Sequence, residues 1–173
     1  MQVTNEQGCI LLAVDGEPHT EEAVRWALDL AIGLGMKLKP VHVRDPYLKQ
    51  FYNDIYAQGR EEYLEHVQDC LEQKARKASE AFEAAVRQHL ERMGHRGDLG
   101  GSFDVLDGDP AKQLSGLIDR GGFTMLVLGR RRGRRIAVLR TRDLAERLSS
   151  VGCAVPMLVV PGPEDPPSGR NAR

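Results

Sequence analysis

Long apolar runs are missing from this sequence. No segment approaches the roughly 18 consecutive apolar residues that cross a bilayer, which excludes a helical membrane span. The opening MQVTNEQG is polar and carries no apolar signal core, so a cytoplasmic location is expected. An excess of charge is missing too: 24 Lys and Arg face 25 Asp and Glu, a net charge of −1, so the chain as a whole attracts neither nucleic acid nor an anionic membrane. Cysteine is scarce. Cys9, Cys70 and Cys153 are odd in number, far apart and set in apolar patterns, so buried thiols are expected rather than redox or metal-binding ones. There is no CxxC and no Cys/His ligand spacing, and no metal is expected. Nor is there a nucleophile elbow of the Ser-His-Asp type, a pair of catalytic carboxylates or a nucleotide-transfer lysine loop. Aromatic residues amount to 5 %, and none interleaves with the one basic run to make a stacking platform, so nucleic acid is not the expected partner.

What is present is alternation. CILLAVD, residues 9–15, is a continuous apolar run closed by an acid, the mark of a parallel strand buried on both faces. A turn and helix follow, with Pro18 at or before the first helical position, Thr20 as a candidate cap, Ala23, Ala27, Leu30, Ala31 and Leu34 on one face, and Gly35 as the stop. Trp26 on this helix is placed at the border of its packed face. Residues 36–45 alternate as a second strand. From about Arg60 to Met93 apolar residues recur at helical spacing, Leu64 through Leu90, with charge on the other faces. GGSFDVLDG reads as a third strand, Asp109 or Pro110 opens a helix to Arg120, FTMLVLG is a fourth buried strand, a fourth helix spans 143–150, and VPMLVVP is a fifth strand. Residues 1–7 and the apolar-poor tail 162–173 are expected to be disordered, leaving one domain over 8–161. His42, between Val41 and Val43, is a core histidine; His19, His66, His89 and His95 read as surface residues.

Strands alternating with helices imply right-handed crossovers, a parallel sheet and helices on both faces. In such sheets ligands bind beyond the C-terminal strand ends, where the strand order switches. That rule selects Asp15-Gly16, Val43-Arg44-Asp45, the turn from Asp107 to Pro110, and the loop from Gly129 to Asp143.

LLAVDG at the first strand end, VHVRD at the second, VLDGDP after the third, and LVLG followed by RLSSVGCAVPMLVVP resemble, in this order, the universal stress protein family over about residues 8–161. The resemblance implies an α/β three-layer sandwich of flavodoxin-like, Rossmann-like type. Its five-stranded parallel sheet would be ordered 3-2-1-4-5. It also implies dimers along the last strand, and binding of ATP by some members without strong catalysis. In ATP-binding members an aspartate like Asp15 and a valine like Val43 address the adenine. The fourth loop carries glycine, two residues, glycine, nine residues, then glycine and a hydroxyl residue. Gly129 matches the first glycine. Arg132 falls at the second, or Gly133 if the loop has gained a residue, and Arg142 and Asp143 replace the final pair. Gly108, needed for its own turn, lies where a ribose would pass.

These departures have physical weight. Glycine lets a backbone approach a phosphate closely; arginine does not. Asp143 caps the fourth helix as a hydroxyl would, and Glu146 completes a capping box, but two carboxylates then hold the positive end of the helix dipole. A fixed negative charge about 4 Å from a phosphate costs on the order of 4 kcal/mol at an effective dielectric near 20, roughly a thousandfold in affinity. Five arginines, Arg130, Arg131, Arg132, Arg134 and Arg135, oppose this cost; exposed and screened cations return little, a bidentate clamp more. The expectation is a non-enzymatic, cytoplasmic stress-response protein whose ATP phosphate loop is lost or remodelled. It would act through regulatory contacts with a protein partner and need no cofactor. The apolar run VPMLVV, residues 155–160 with Val155 and Val160 at its ends, pairs with its copy to hide a hazardous edge and form a homodimer. The alternative is an ATP or AMP sensor that substitutes arginine side chains for the glycine loop, and a nucleotide-hydrolysing enzyme is a third reading.

Overall fold

The computed structural model describes residues 8–45, 60–94, 99–130 and 144–162. The strands are β1 (Cys9–Ala13), β2 (Lys37–Arg44), β3 (Asp104–Asp107), β4 (Phe123–Arg130) and β5 (Met157–Pro161). The helices are α1 (Pro18–Leu34), α2 (Arg60–Met93), α3 (Pro110–Asp119) and α4 (Leu144–Val151). The five strands form one sheet in the order β3-β2-β1-β4-β5, and each adjacent pair is parallel. This is the order that the resemblance implies.

The period-2 alternation of strand side chains divides the core in two. Ile10, Leu12 and Val127 point to the face covered by α1 and α2, where they meet Ala23, Ala27, Leu28 and Ala78. Leu11, Leu126 and Leu128 point to the opposite face and meet Ala111, Leu114 and Ile118 of α3 and Leu148 of α4. Both faces of β1 and of the middle of β4 are therefore sealed, which is why CILLA and MLVL are apolar without interruption. Helix α2 has 34 residues, about 51 Å at 1.5 Å per residue, against about 26 Å for the eight residues of β2. It outruns the sheet it covers.

Local chemistry explains the helix ends. α1 has Pro18 in its first turn and ends at Gly35, whose φ of 63° is left-handed. Its cap residue is Glu17, not Thr20, and Glu17 makes no side-chain cap hydrogen bond. Thr20 lies inside the helix and serves Asp15 instead. At α3 the cap is Asp109, which accepts from the Lys112 N–H, and Pro110 is the first helical residue.

Four expectations are corrected. Leu34 and Trp26 are 57 % and 50 % exposed, because the α1 face turned to the sheet is the Ala23, Ala27, Ala31 stripe and its last turn runs past the sheet. His89 is buried, since α1 covers it: its Nε2 lies 2.9 Å from Asp29 Oδ1, though not in line for a hydrogen bond. Cys70 is exposed on α2, whose inward face belongs to Val67, Ala75 and Ala78, while Cys9 and Cys153 are half-buried. Gly162, assigned to the tail from sequence, is buried, and its N–H donates to the Arg130 carbonyl at 2.8 Å, which continues the β4–β5 pairing. His42 is a buried core histidine, as read from sequence.

Candidate functional site

Three strand ends and three helix starts converge at the C-terminal edge of the sheet. Between them lies a cavity of about 190 Å³ whose walls include Asp15, Val43, Pro110, Gly129 and Leu144. Its floor is apolar, with Val41, Leu114 and Leu128 prominent; Thr20 and His42 add polar groups. The volume is below the roughly 300–1,000 Å³ of pockets that enclose a whole drug-sized ligand, so it accommodates one planar ring system and leaves the rest of a larger ligand over the rim.

Each polar wall is held by a nameable bond. Asp15 Oδ1 accepts from the Glu17 N–H at 2.9 Å and lies 3.0 Å from the Thr20 hydroxyl, which itself stands 2.7 Å from the Glu17 carbonyl. The acid that closes β1 thus builds the turn into α1 while it faces the cavity. Gly16 follows with φ of 77°, and a Cβ there would stand 3.0 Å from the Ala78 backbone of α2; only glycine lets the turn lie this close. The Val14 N–H donates to the Val41 carbonyl at 2.9 Å, and His42 donates its Nδ1–H to the Val14 carbonyl across 2.7 Å. Desolvation lowers the His42 pKa, against the bond to Val14 and the charge of Asp15, so the ring is neutral at pH 7.

On the β3 side, Arg44 and Asp107 are register partners at the ends of β2 and β3. Arg44 Nε and Nη2 donate to Asp107 Oδ1 and Oδ2, each at 2.7 Å, a two-pronged pair that raises the guanidinium pKa further. Gly108 turns beneath it with φ of 135°, where a side chain is strained, and its N–H donates to the Arg44 carbonyl at 3.0 Å. Asp109 then caps α3 through Oδ1 and pairs with Arg147 of α4 through Oδ2. Desolvation pushes the Asp109 pKa up, but the Lys112 N–H and the Arg147 guanidinium outweigh it and hold the carboxyl below its ordinary range.

Of the sequence-selected residues, Asp15, Val43 and Gly129 meet at one cavity. Gly108 shapes the adjoining turn without lining it, and Arg130 is the exposed last residue of β4. Arg132, Gly133 and Asp143 lie outside the described residues, as do 1–7 and 163–173 of the expected disordered ends. Sequence reasoning missed Thr20, Leu114, Leu128 and Leu144 as cavity residues and both Arg–Asp pairs. The signal for Arg44–Asp107 was available as opposite charges at adjacent strand ends; nothing local marks Arg147, 38 positions from Asp109. Among the described residues no group of three or more His, Cys, Asp or Glu is placed to hold a metal ion, and no helix is long and apolar enough to cross a membrane.

A sequence profile described as the universal stress protein family matches residues 9–161. Among solved structures, a universal stress protein family member from Burkholderia pseudomallei superposes with a TM-score of 0.61 at 21 % identity, covering 91 % of this chain and 98 % of that one. UspA from Lactobacillus plantarum reaches 0.61 at 16 % identity, covering 88 % and 97 %. A universal stress protein from Archaeoglobus fulgidus in complex with dAMP reaches 0.55 at 14 % identity, covering 88 % and 97 %. No curated protein sequence matches significantly.

Proposed function

The chain belongs to the universal stress protein family, and from that premise we propose that it is a non-enzymatic, cytoplasmic stress-response protein whose cavity keeps the base-holding half of a nucleotide site and has lost the phosphate-holding half. The observation that carries this reading is the contrast between two parts of one site. Asp15, Val43 and Gly129 line a ring-sized apolar cavity at the strand ends, whereas the sequence at the phosphate end has Arg142 and Asp143 where the family's nucleotide binders carry glycine and a hydroxyl. In the sequence Asp143 directly precedes Leu144, the first residue of α4, and an acid at a helix start competes with a phosphate for the orphan N–H groups there. The dAMP bound by the Archaeoglobus fulgidus relative supports a base site here, and its single phosphate makes little demand on the lost half. The protein then acts through protein contacts: a homodimer along β5 and a regulatory partner.

The experiment is calorimetric titration of the full chain with adenosine and with ATP. Similar, weak affinities for both support the reading. Micromolar ATP with much weaker adenosine would refute it. One observation favours a second reading, an ATP or AMP sensor: the exposed Arg130, first of the arginine run in the sequence, directly follows Gly129 of the cavity wall, and a guanidinium clamp on phosphate is strong when bidentate. In that case Asp143→Ser leaves ATP affinity unchanged.

A further inference from the structure

We propose that the Asp109–Arg147 ion pair sets the position of α4 and with it the width of the cavity, which makes Arg147 a positioning residue for a bound nucleoside base. This rests on the reading of the cavity as a base site. Leu144 and Pro110 are both walls of that cavity, and the pair lies directly behind them: Asp109 precedes Pro110, and Arg147 is one helical turn beyond Leu144.

The leverage comes from the shortness of α4. It has eight residues, about 12 Å, far short of the length at which a helix is stable alone. Leu148 is its one fully buried side chain, and with the partly buried Leu144 and Ala145 it packs against the core beside Leu114 and Ile118. Arg147 adds a charged tie from α4 to the start of α3. Its Nη2 donates to Asp109 Oδ2, with the two side chains 32 % and 25 % exposed, so solvent screens the pair only in part.

The other end of the pair is tied at several points. Asp109 Oδ1 is already committed to the Lys112 N–H at 3.0 Å as the α3 cap. The preceding turn is fixed to β2 by the Arg44–Asp107 pair and by the Gly108 N–H on the Arg44 carbonyl. Gln113 Nε2 donates to the Asp107 carbonyl at 3.0 Å and closes the turn from below. One carboxylate therefore begins α3 with one oxygen and holds α4 with the other, and loss of the pair frees α4, not the turn.

The test uses the full chain with adenosine as probe, which carries no phosphate and so reads the base site alone. Arg147→Met keeps the aliphatic stem and removes the guanidinium; Arg147→Lys keeps charge and a donor; Asp109→Asn keeps a capping side chain and removes the charge. Amide hydrogen exchange over residues 148–151, whose N–H groups are bonded within α4, accompanies each titration. We expect Arg147→Met to weaken adenosine about tenfold and to speed exchange in α4. Arg147→Lys restores most of both, and Asp109→Asn adds nothing in the Arg147→Met background. Unchanged adenosine affinity in Arg147→Met, with the parent binding, overturns the proposal. If the parent binds no adenosine, the base-site reading fails by itself. The pair is then judged on exchange: faster exchange in Arg147→Met that lysine reverses upholds the positioning role, and unchanged exchange overturns it.

Discussion

His42 shows how one side chain serves the site without standing at its mouth. Buried in β2, it gives its Nδ1–H to the carbonyl of Val14 and so pins the strand end that presents Asp15. Desolvation keeps its folded pKa below the ordinary value of about 6.5, so below that pH the unfolded chain binds the proton that the folded chain refuses. Its contribution is whole above about pH 6.5 and is lost as pH falls toward the folded value. Urea midpoints at pH 5 and pH 7 test this: the parent loses stability at pH 5, and His42→Gln loses less. An equal loss in both contradicts the assignment. This histidine was legible in the sequence because two valines flank it in a strand. His89 was misread as a surface residue although Ala85 and Val86, one turn earlier on α2, belong to the same apolar stripe; its neighbour Asp29 on α1 arrives only with the fold.

The elements were legible where periodicity and end signals agree. Strands β1 and β4 declare themselves by unbroken apolar runs and α2 by its repeat, and the turn glycines and Pro110 mark where the chain changes direction. What stayed hidden was the contact between elements. Gly16 carries φ of 77°, and a Cβ added there would stand 3.0 Å from the Ala78 backbone, so it is at once a turn residue and the contact point of α2 on the site. Gly16→Ala combines left-handed strain with overpacking against backbone, and a loss of about 2–4 kcal/mol is expected from denaturant midpoints. A loss below about 0.5 kcal/mol would show that the turn is not held by α2. The Asp109–Arg147 pair was hidden for the same reason: each residue looks like an ordinary helix-end charge until α3 and α4 are brought together on one face of the sheet.

At the scale of the molecule, β5 is an outer strand with β4 as its neighbour in the sheet. The Leu126 N–H goes to the Pro156 carbonyl and the Gly162 N–H to Arg130, so the even-numbered residues of β5 face β4 and the N–H groups of Met157 and Val159 turn outward. A homodimer along this edge uses those donors. Val159→Pro removes one without touching the β4 ladder, as an edge strand tolerates. Sedimentation equilibrium is expected to find the parent at twice the chain mass and the variant shifted toward monomer with its circular dichroism unchanged; a monomeric parent, or a variant as dimeric as the parent, contradicts the edge. The function proposed for the whole protein turns on one charge, Asp143, at the entrance of α4. The most direct measurement is the affinity of ATP relative to adenosine in the parent and in Asp143→Ser, by calorimetry at fixed ionic strength. The account predicts that the parent binds ATP no tighter than adenosine, and that the serine variant gains ATP affinity by tenfold or more, up to roughly a thousandfold, with adenosine unchanged. A parent that binds ATP at micromolar concentration, with no gain in the variant, would contradict it.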